Sequence, residues 1–291
     1  MDITKKNMML VPTDFSEVAD LALEHAIMIA KTFDNDIALM AIYDTGNLIT
    51  SIFSKNATEE MVEKSLQTKL DQIKNEVKAK HNIDITTVVR SAHSIYKTIV
   101  ETAEELNCDS IVMGTHGASG LKKIMGSNAQ RVISQADVPV IVIKEKHFGD
   151  GYKNIVFPID LSFETRQKVK WAIHLAQKFN STIHILSFRE DDEFLGHKIN
   201  ANINNVEAQF RDAGVQFTSY FLSDKAGLAK ETINYAENIN ADLIMIMTQQ
   251  DEGLSEIIIG SYAQQIVNNA TTPVMTVTPT TKGITEVVRA L

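Results

Sequence analysis

Three glycines, Gly114, Gly117 and Gly120, fall within seven residues, and Gly126-Ser127-Asn128 follows shortly after. Glycine leaves room for an anion to reach the backbone, and a helix opening at Ser127 presents unpaired N–H groups and partial positive charge. Residues of these types in this order could seat a phosphate, with the Ser127 hydroxyl as a further donor. They could equally make a tight strand-to-helix turn with Ser127 as its cap, and spacing alone does not separate the two readings. Asp14 closes the apolar run Met8–Thr13; its carboxylate could accept from a base amino group or cap the helix behind it. His116 lies inside the glycine loop with no nucleophile spaced to partner it, so it reads as a loop histidine holding backbone. Lys122-Lys123 could neutralise phosphates or stand as a solvated charge pair. The other histidines, such as His25, His174 and His184, fall on helix or strand patterns and give no zinc signature. Neither Gly-x-x-x-x-Gly-Lys-Ser/Thr nor Gly-x-Ser-x-Gly occurs, so no NTPase loop, no nucleophile elbow and no efficient catalysis are expected.

These residues must be held by strands and helices, and the pattern supplies both. Ser110–Met113 is an apolar run leading into the glycines, and Ala129, Val132, Ile133 and Ala136 recur at helical spacing after them. Upstream, Ser16 is a good N-cap for a helix over Val18–Phe33, Asp36–Tyr43 reads as a strand, and Gly46–Ala57 as a loop. A long amphipathic helix spans Thr58–Lys80, a β-branched strand Asp84–Val89, a helix Ile95–Leu106 and a fifth strand Val138–Ile143. Alternation of strands and helices predicts a parallel sheet covered on both faces and doubly wound.

The programme then restarts after a linker over Glu145–Tyr152. Val11-Pro12-Thr13-Asp14-Phe15-Ser16 returns 146 residues later as Phe157-Pro158-Ile159-Asp160-Leu161-Ser162. Ala26, Ile27, Ala30 and Phe33 return as Ala172, Ile173, Ala176 and Phe179. Asp109–Thr115 answers to Asp242–Thr248, Gly126-Ser127 to Gly260-Ser261, and Val138-Pro139-Val140 to Thr272-Pro273-Val274. Two homologous domains follow, over 1–146 and 152–280, with 281–291 as a tail. The 291-residue length suits two domains, and 44% apolar residues give each a sizeable core.

A net charge of −9 disfavours nucleic acid but not a nucleotide, which needs only local donors. The single cysteine, Cys108, reads as inert and buried before a strand; it excludes an intrachain disulfide and fits a reducing cytoplasm. No signal-peptide layout and no apolar run long enough for a membrane span are present.

Pro-x-Asp-x-Ser closing the first strand, Met-Gly-Thr-His-Gly after the fourth, Gly-Ser, and Val-Pro-Val-x-Val together resemble the universal stress protein family in its tandem form, over roughly 5–145 and 152–278. The resemblance implies a Rossmann-like five-stranded parallel sheet in each domain, order 3-2-1-4-5. Family members either bind ATP or another adenine nucleotide or lack the loop and do not. Carried over by position, Gly114, Gly117, Gly126 and Ser127, with Asn128 beside them, match phosphate-contacting residues. Asp14 matches the aspartate that meets the adenine, Thr13 flanks it, and Ile42 matches the strand position whose backbone reads the adenine edge. The implied ligand is ATP or AMP, Mg2+ accompanying ATP, in a stress-response sensor with at most slow hydrolysis. The alternative is an interaction scaffold without nucleotide.

Two departures from the family pattern bear on the site. Between Gly117 and Gly126 lie eight residues rather than nine, shortening the loop by up to about 3.5 Å. In the second half Met247 and Gln250 replace Gly114 and Gly117, and Asp251-Glu252 would oppose an anion, so that site is expected to be lost. The fifth strands, Val138–Ile143 and Pro273–Val277, are expected to be sheet edges that pair within the chain as an internal pseudo-dimer, like the homodimers of single-domain relatives.

Overall fold

A computed structural model describes residues 7–44, 58–115, 126–144, 151–162, 164–222, 227–248 and 260–279. The expected loop over Gly46–Ala57, the residues Gly117, His116 and Lys122-Lys123, Gln250–Glu252 and the tail lie outside these ranges. The chain divides into two compact units, Met1–Ile143 and Lys144–Leu291.

The first unit runs β1 (Met8–Thr13), α1 (Glu17–Phe33), β2 (Asp36–Asp44), α2 (Glu59–His81), β3 (Ile85–Ala92), α3 (Ile95–Glu105), β4 (Ser110–Gly114), α4 (Ser127–Gln135) and β5 (Val140–Ile143). Its strands lie in the order β3-β2-β1-β4-β5, all parallel. The runs are apolar because helices on the crossovers bury both strand faces: Leu10, Val11, Leu39 and Met40 are fully enclosed. Ala22, Ala26 and Ala30 of α1 let that helix lie close on the sheet.

Helix ends follow local chemistry. Ser16 Oγ accepts from the Ala19 amide at 3.3 Å, and Thr58 does the same for Met61. At the far ends, Asp34 and Asn82 take left-handed φ of 56° and 57° as C-caps, and Asn107, Asn180 and Asn240 do likewise just past their helices. Asp34 and Asn180 are repeat partners, as are Asn107 and Asn240.

The second unit repeats the plan: β6 (Asn154–Pro158), a 3-10 turn (Glu164–Lys168), α5 (Val169–Phe179), β7 (Thr182–Phe188), α6 (Glu193–Asp212), β8 (Gln216–Leu222), α7 (Leu228–Asn238), β9 (Leu243–Met247), α8 (Ser261–Asn269) and β10 (Val274–Val277). Its strand order is β8-β7-β6-β9-β10, again all parallel. The two units differ where the first helix begins. α1 is a single helix of 17 residues, whereas its counterpart opens as the 3-10 turn and leaves α5 with 11.

Candidate functional site

The carboxyl edge of the first sheet gathers most of the sequence-derived candidates. Strand order reverses between β1 and β4, and in open α/β sheets ligands sit in the crevice at such a reversal. β1 pairs with β2 so that Thr13 lies beside Ala41, which puts Ile42 level with Asp14. The β1–β4 register of Met9 with Ser110 and Leu10 with Ile111, carried forward, sets Thr13 beside Gly114. Thr13, Asp14, Ile42 and Gly114 therefore share one edge.

The β1–α1 turn is held by its own side chains. Thr13 Oγ1 accepts from the Phe15 amide at 3.0 Å, and Asp14 Oδ1 accepts from Ser16 at 3.1 Å. Phe15 is thereby held at a φ of 62°, unusual for a bulky residue, with Lys69 Nζ 5.0 Å from its ring centre. The Asp14 side chain stays exposed, with one oxygen engaged by its own turn. Ile42 is half-buried and sits opposite Arg90 of β3.

Gly114 is small for a packing reason that the sequence did not reveal. A Cβ there would stand 2.8 Å from Val18 Cγ1, in the first turn of α1. Thr115 and Gly126 are themselves tied by backbone hydrogen bonds. Thr115 donates to Ile143 O at 3.0 Å, and Gly126 donates to Thr115 O at 2.7 Å. The Gly126 amide is therefore already engaged, and what Gly126 supplies is the N-cap position, without a side chain to cap the helix. Ser127 is the first residue of α4 rather than its cap. Its side chain is exposed and that of Asn128 half-buried.

Electrostatics separate the two helix starts at this edge. The first turn of α1 carries Glu17 and Asp20, which already answer its partial positive charge. Burial, with Glu24, Asp14 and Glu17 nearby, raises the Asp20 carboxyl above its usual range. The first turn of α4 has no acid and no side-chain cap. The amides of Ser127 and Asn128 are the donors this geometry offers to an anion.

Among the described residues, the matching edge of the second unit carries larger side chains. Lys168 stands where the repeat has Ala22, and it is 2% exposed. Its Nζ donates to Pro158 O and lies 4.5 Å from the Phe157 ring centre. Desolvation lowers its amine to about 7, with Asp160 opposing the shift. Asp160 Oδ1 accepts from both the amide and the hydroxyl of Ser162, at 2.9 and 2.7 Å. Asn202 donates to Asp160 O and Ser162 O and accepts from Arg166 at 2.7 Å. Tyr262, at the Asn128 position, shares a 3.1 Å hydrogen bond with Thr232, and burial raises its phenol. Among Asp160, Lys168, Met247 and Tyr262 only about 10 Å³ of cavity remains.

A cavity of about 370 Å³ lies elsewhere, at the amino edge of β4 and β5, beside Glu104, Cys108, Asp109 and Asp137. Asp109 there accepts from the Met8 amide at 3.2 Å, as Asp242 accepts from Lys153 and Asn154 in the second unit, so this aspartate ties strand starts together. Cys108 is buried. His25 is enclosed in α1, and desolvation lowers its imidazole to about 3, so it is neutral. Among the described residues no group of three or more His, Cys, Asp or Glu could hold a metal ion, and no helix is long and apolar enough to cross a membrane.

The universal stress protein family model matches this chain twice, over residues 7–144 and 151–278. The chain belongs to the universal stress protein family. Universal stress protein MJ0577 of Methanocaldococcus jannaschii is 31% identical over 153 residues, covering 47% of this chain and 94% of that protein. Universal stress protein MJ0531 of the same organism is 34% identical over 139 residues, covering 47% and 81%. A crystal structure of a universal stress protein from Archaeoglobus fulgidus superimposes with a TM-score of 0.73 at 22% identity, covering 95% of this chain and 97% of that one. At that identity the likeness speaks for the fold. Two family matches to one chain make this a tandem member.

Proposed function

We propose that the first domain binds an adenine nucleotide and that the second has lost this ability, so that the chain works as a one-site sensor or switch in the stress response. The observation that carries this reading is the uncapped, acid-free start of α4 beside Gly114 at the strand-order reversal. Phosphates would meet the amides of Ser127 and Asn128 and the Ser127 hydroxyl. The adenine would lie toward Asp14 and the backbone at Ile42, flanked by Thr13, with Gly114 and Gly117 lining the approach. ATP or AMP fits this donor set. With no described cluster of metal-ligating side chains, Mg2+ would arrive bound to the phosphates. No described residue is placed to drive hydrolysis, and turnover would be slow at most. The loss in the second domain is supported by the bulk of Met247, Lys168 and Tyr262.

Titration with ATP and with AMP, followed by thermal unfolding, tests the proposal. A rise in melting temperature at millimolar nucleotide is expected, and Gly126→Asp should abolish it. No rise with either nucleotide would overturn it.

A second reading, a scaffold that binds partners without nucleotide, is favoured by two observations: the Gly126 amide is spent on Thr115, and Gly114 is accounted for by Val18. Mass spectrometry of denatured, untreated protein decides between the two, since co-purified adenine nucleotide would oppose the scaffold. We further propose a cytoplasmic location, on the single buried Cys108, and pairing of the fifth strands within the chain, to be tested by engineered cysteine cross-linking.

A further inference from the structure

Among the described residues β8 is the outer strand of the second domain, with β7 as its one hydrogen-bonded neighbour. Its sequence, Gln-Phe-Thr-Ser-Tyr-Phe-Leu, holds no charge and no proline. Thr218 and Ser219 are exposed, Tyr220 is 54% and Phe221 37% exposed. An outer strand offers a row of unpaired N–H and C=O groups, and proteins usually blunt it with charge, proline or a covering element. The outer strand of the first domain is blunted. β3 carries Arg90, bridged to Glu105 at 3.4 Å, and α2 reaches over it through Gln67, which donates to Thr87 at 2.9 Å. β8 has no such charge of its own.

The charges near β8 belong to neighbouring elements and have a fixed order. Glu207 accepts from Ser219 Oγ at 2.5 Å. Arg211, one helical turn away on α6, lies 5.7 Å from the Phe217 ring centre and 4.0 Å from Glu207. Arg189 lies 5.6 Å from the Phe221 ring centre. Phe217, Ser219 and Phe221 point to one face, so that face reads positive, negative, positive along the strand.

We propose that β8 is a self-association edge, at which two copies of this chain pair their β8 strands antiparallel about a two-fold axis at Thr218. In that register Ser219 of one copy faces Phe217 of the other. Each Glu207 then meets the second copy's Arg211, which closes a ring of two acids and two bases supplied by the two α6 helices. A two-fold at Ser219 would instead set Glu207 against Glu207, and like charges directly opposite are unfavourable. The charge pattern thus selects both the partner and the register. The backbone ladder supplies the attraction, and the neutral strand lets two copies of a chain with net charge −9 approach without placing like charges in the ladder.

Sedimentation velocity of the full chain across the micromolar range tests this. A dimer is expected that Thr218→Pro disperses. Because that variant could also unfold the second domain, the decisive pair is a charge exchange. Glu207→Arg should weaken the dimer about tenfold, and Glu207→Arg with Arg211→Glu should restore it. A monomer at every concentration, a dimer indifferent to Glu207→Arg, or a double exchange that fails to restore would each overturn the proposal.

Discussion

At the carboxyl edge of the first domain, Gly114 lets the first turn of α1 close against β4, and a regular helix follows. At the same edge of the second domain, Met247 takes the glycine's place. There the helix opens as a 3-10 turn, and Lys168 turns inward where the first domain has Ala22. Two enlargements, glycine to methionine and alanine to lysine, accompany one change of backbone. Both repeats keep the hydrogen bonds that close the loop, Gly126 to Thr115 and Gly260 to Thr248, and both keep an N-cap glycine. The frame of the edge is common to both repeats while its side chains differ. In one repeat a glycine, an alanine and an asparagine stand at positions 114, 22 and 128; in the other the matching positions carry a thioether, an amine and a phenol.

Transplanting the methionine is the harshest way to break this contrast. Gly114→Met forces a side chain into Val18, and overpacking of this kind costs about 1–3 kcal/mol. Chemical denaturation should show that loss, and Val18→Ala in the same chain should recover part of it. The nucleotide-induced rise in melting temperature should vanish in Gly114→Met. A variant as stable as the parent would mean that Gly114 does not govern the approach of α1.

Asn202 sharpens the contrast from the other side, because it clamps the turn that only the second domain has. It is 3% exposed, donates to two carbonyls and accepts from Arg166. Asn202→Ala strands these partners in a half-buried site, at a cost of about 1–3 kcal/mol. Hydrogen exchange should accelerate over residues 160–168 and not over the α1 start. Uniform acceleration in both domains would contradict a local clamp.

Lys168 gives the contrast a pH signature. Its amine is lowered to about 7 from the usual 10.5 by burial. Between those values the unfolded chain binds a proton that the native state lacks, so native stability rises with pH across that window, by at most about 1.4 kcal/mol per pH unit. Below about 7 both states hold the proton, and the buried ammonium exerts its full penalty. Lys168→Met removes the ionisable group and keeps the bulk. The difference in unfolding free energy between parent and variant should therefore shrink or reverse as pH rises from 7 to 10. A pH-independent difference would contradict the burial of the amine.

Much of this architecture was legible in the chain alone, because it is written in local periodicity and in repetition. The parallel strands are continuous apolar runs, Ser16 sits where an N-cap must, and the 146-residue return from Val11–Ser16 to Phe157–Ser162 announces a second domain. The sequence pattern starts the fifth strand at Val138 where the structure starts it at Val140, and ends the third at Val89 where the structure carries it to Ala92, because cues are weakest at element ends. The site was less legible because its determinants are contacts between residues far apart in sequence. Val18 and Gly114 are separated by 96 positions, and nothing local in either names the other. A lysine at a helical position reads as surface, yet Lys168 is enclosed because Pro158 O and the Phe157 ring receive it. Helical spacing at Ala172, Ile173, Ala176 and Phe179 foretold the helix but not the tightened turn in front of it. The resemblance makes Gly126 a phosphate contact, whereas the partner of its amide, the Thr115 carbonyl, becomes visible only once residues 115 and 126 meet.

The smallest change addresses the amides that all of this leaves at the start of α4. Ser127→Asp would place an acid in a first turn that has none, and an acid there should stabilise the helix by about 0.3–1 kcal/mol at low salt. The same carboxylate would compete with phosphate for the Ser127 and Asn128 amides and repel it. Stability without ligand and response to ligand should therefore move in opposite directions, a small gain in unfolding free energy together with a loss of nucleotide-induced stabilisation. The counterpart exchange, Ser261→Asp on α8, should bring the same helix gain with no ligand effect, since Lys168, Met247 and Tyr262 already fill that edge. If both variants lose a nucleotide response equally, the two edges are alike in function and the asymmetry in volume has no consequence for binding.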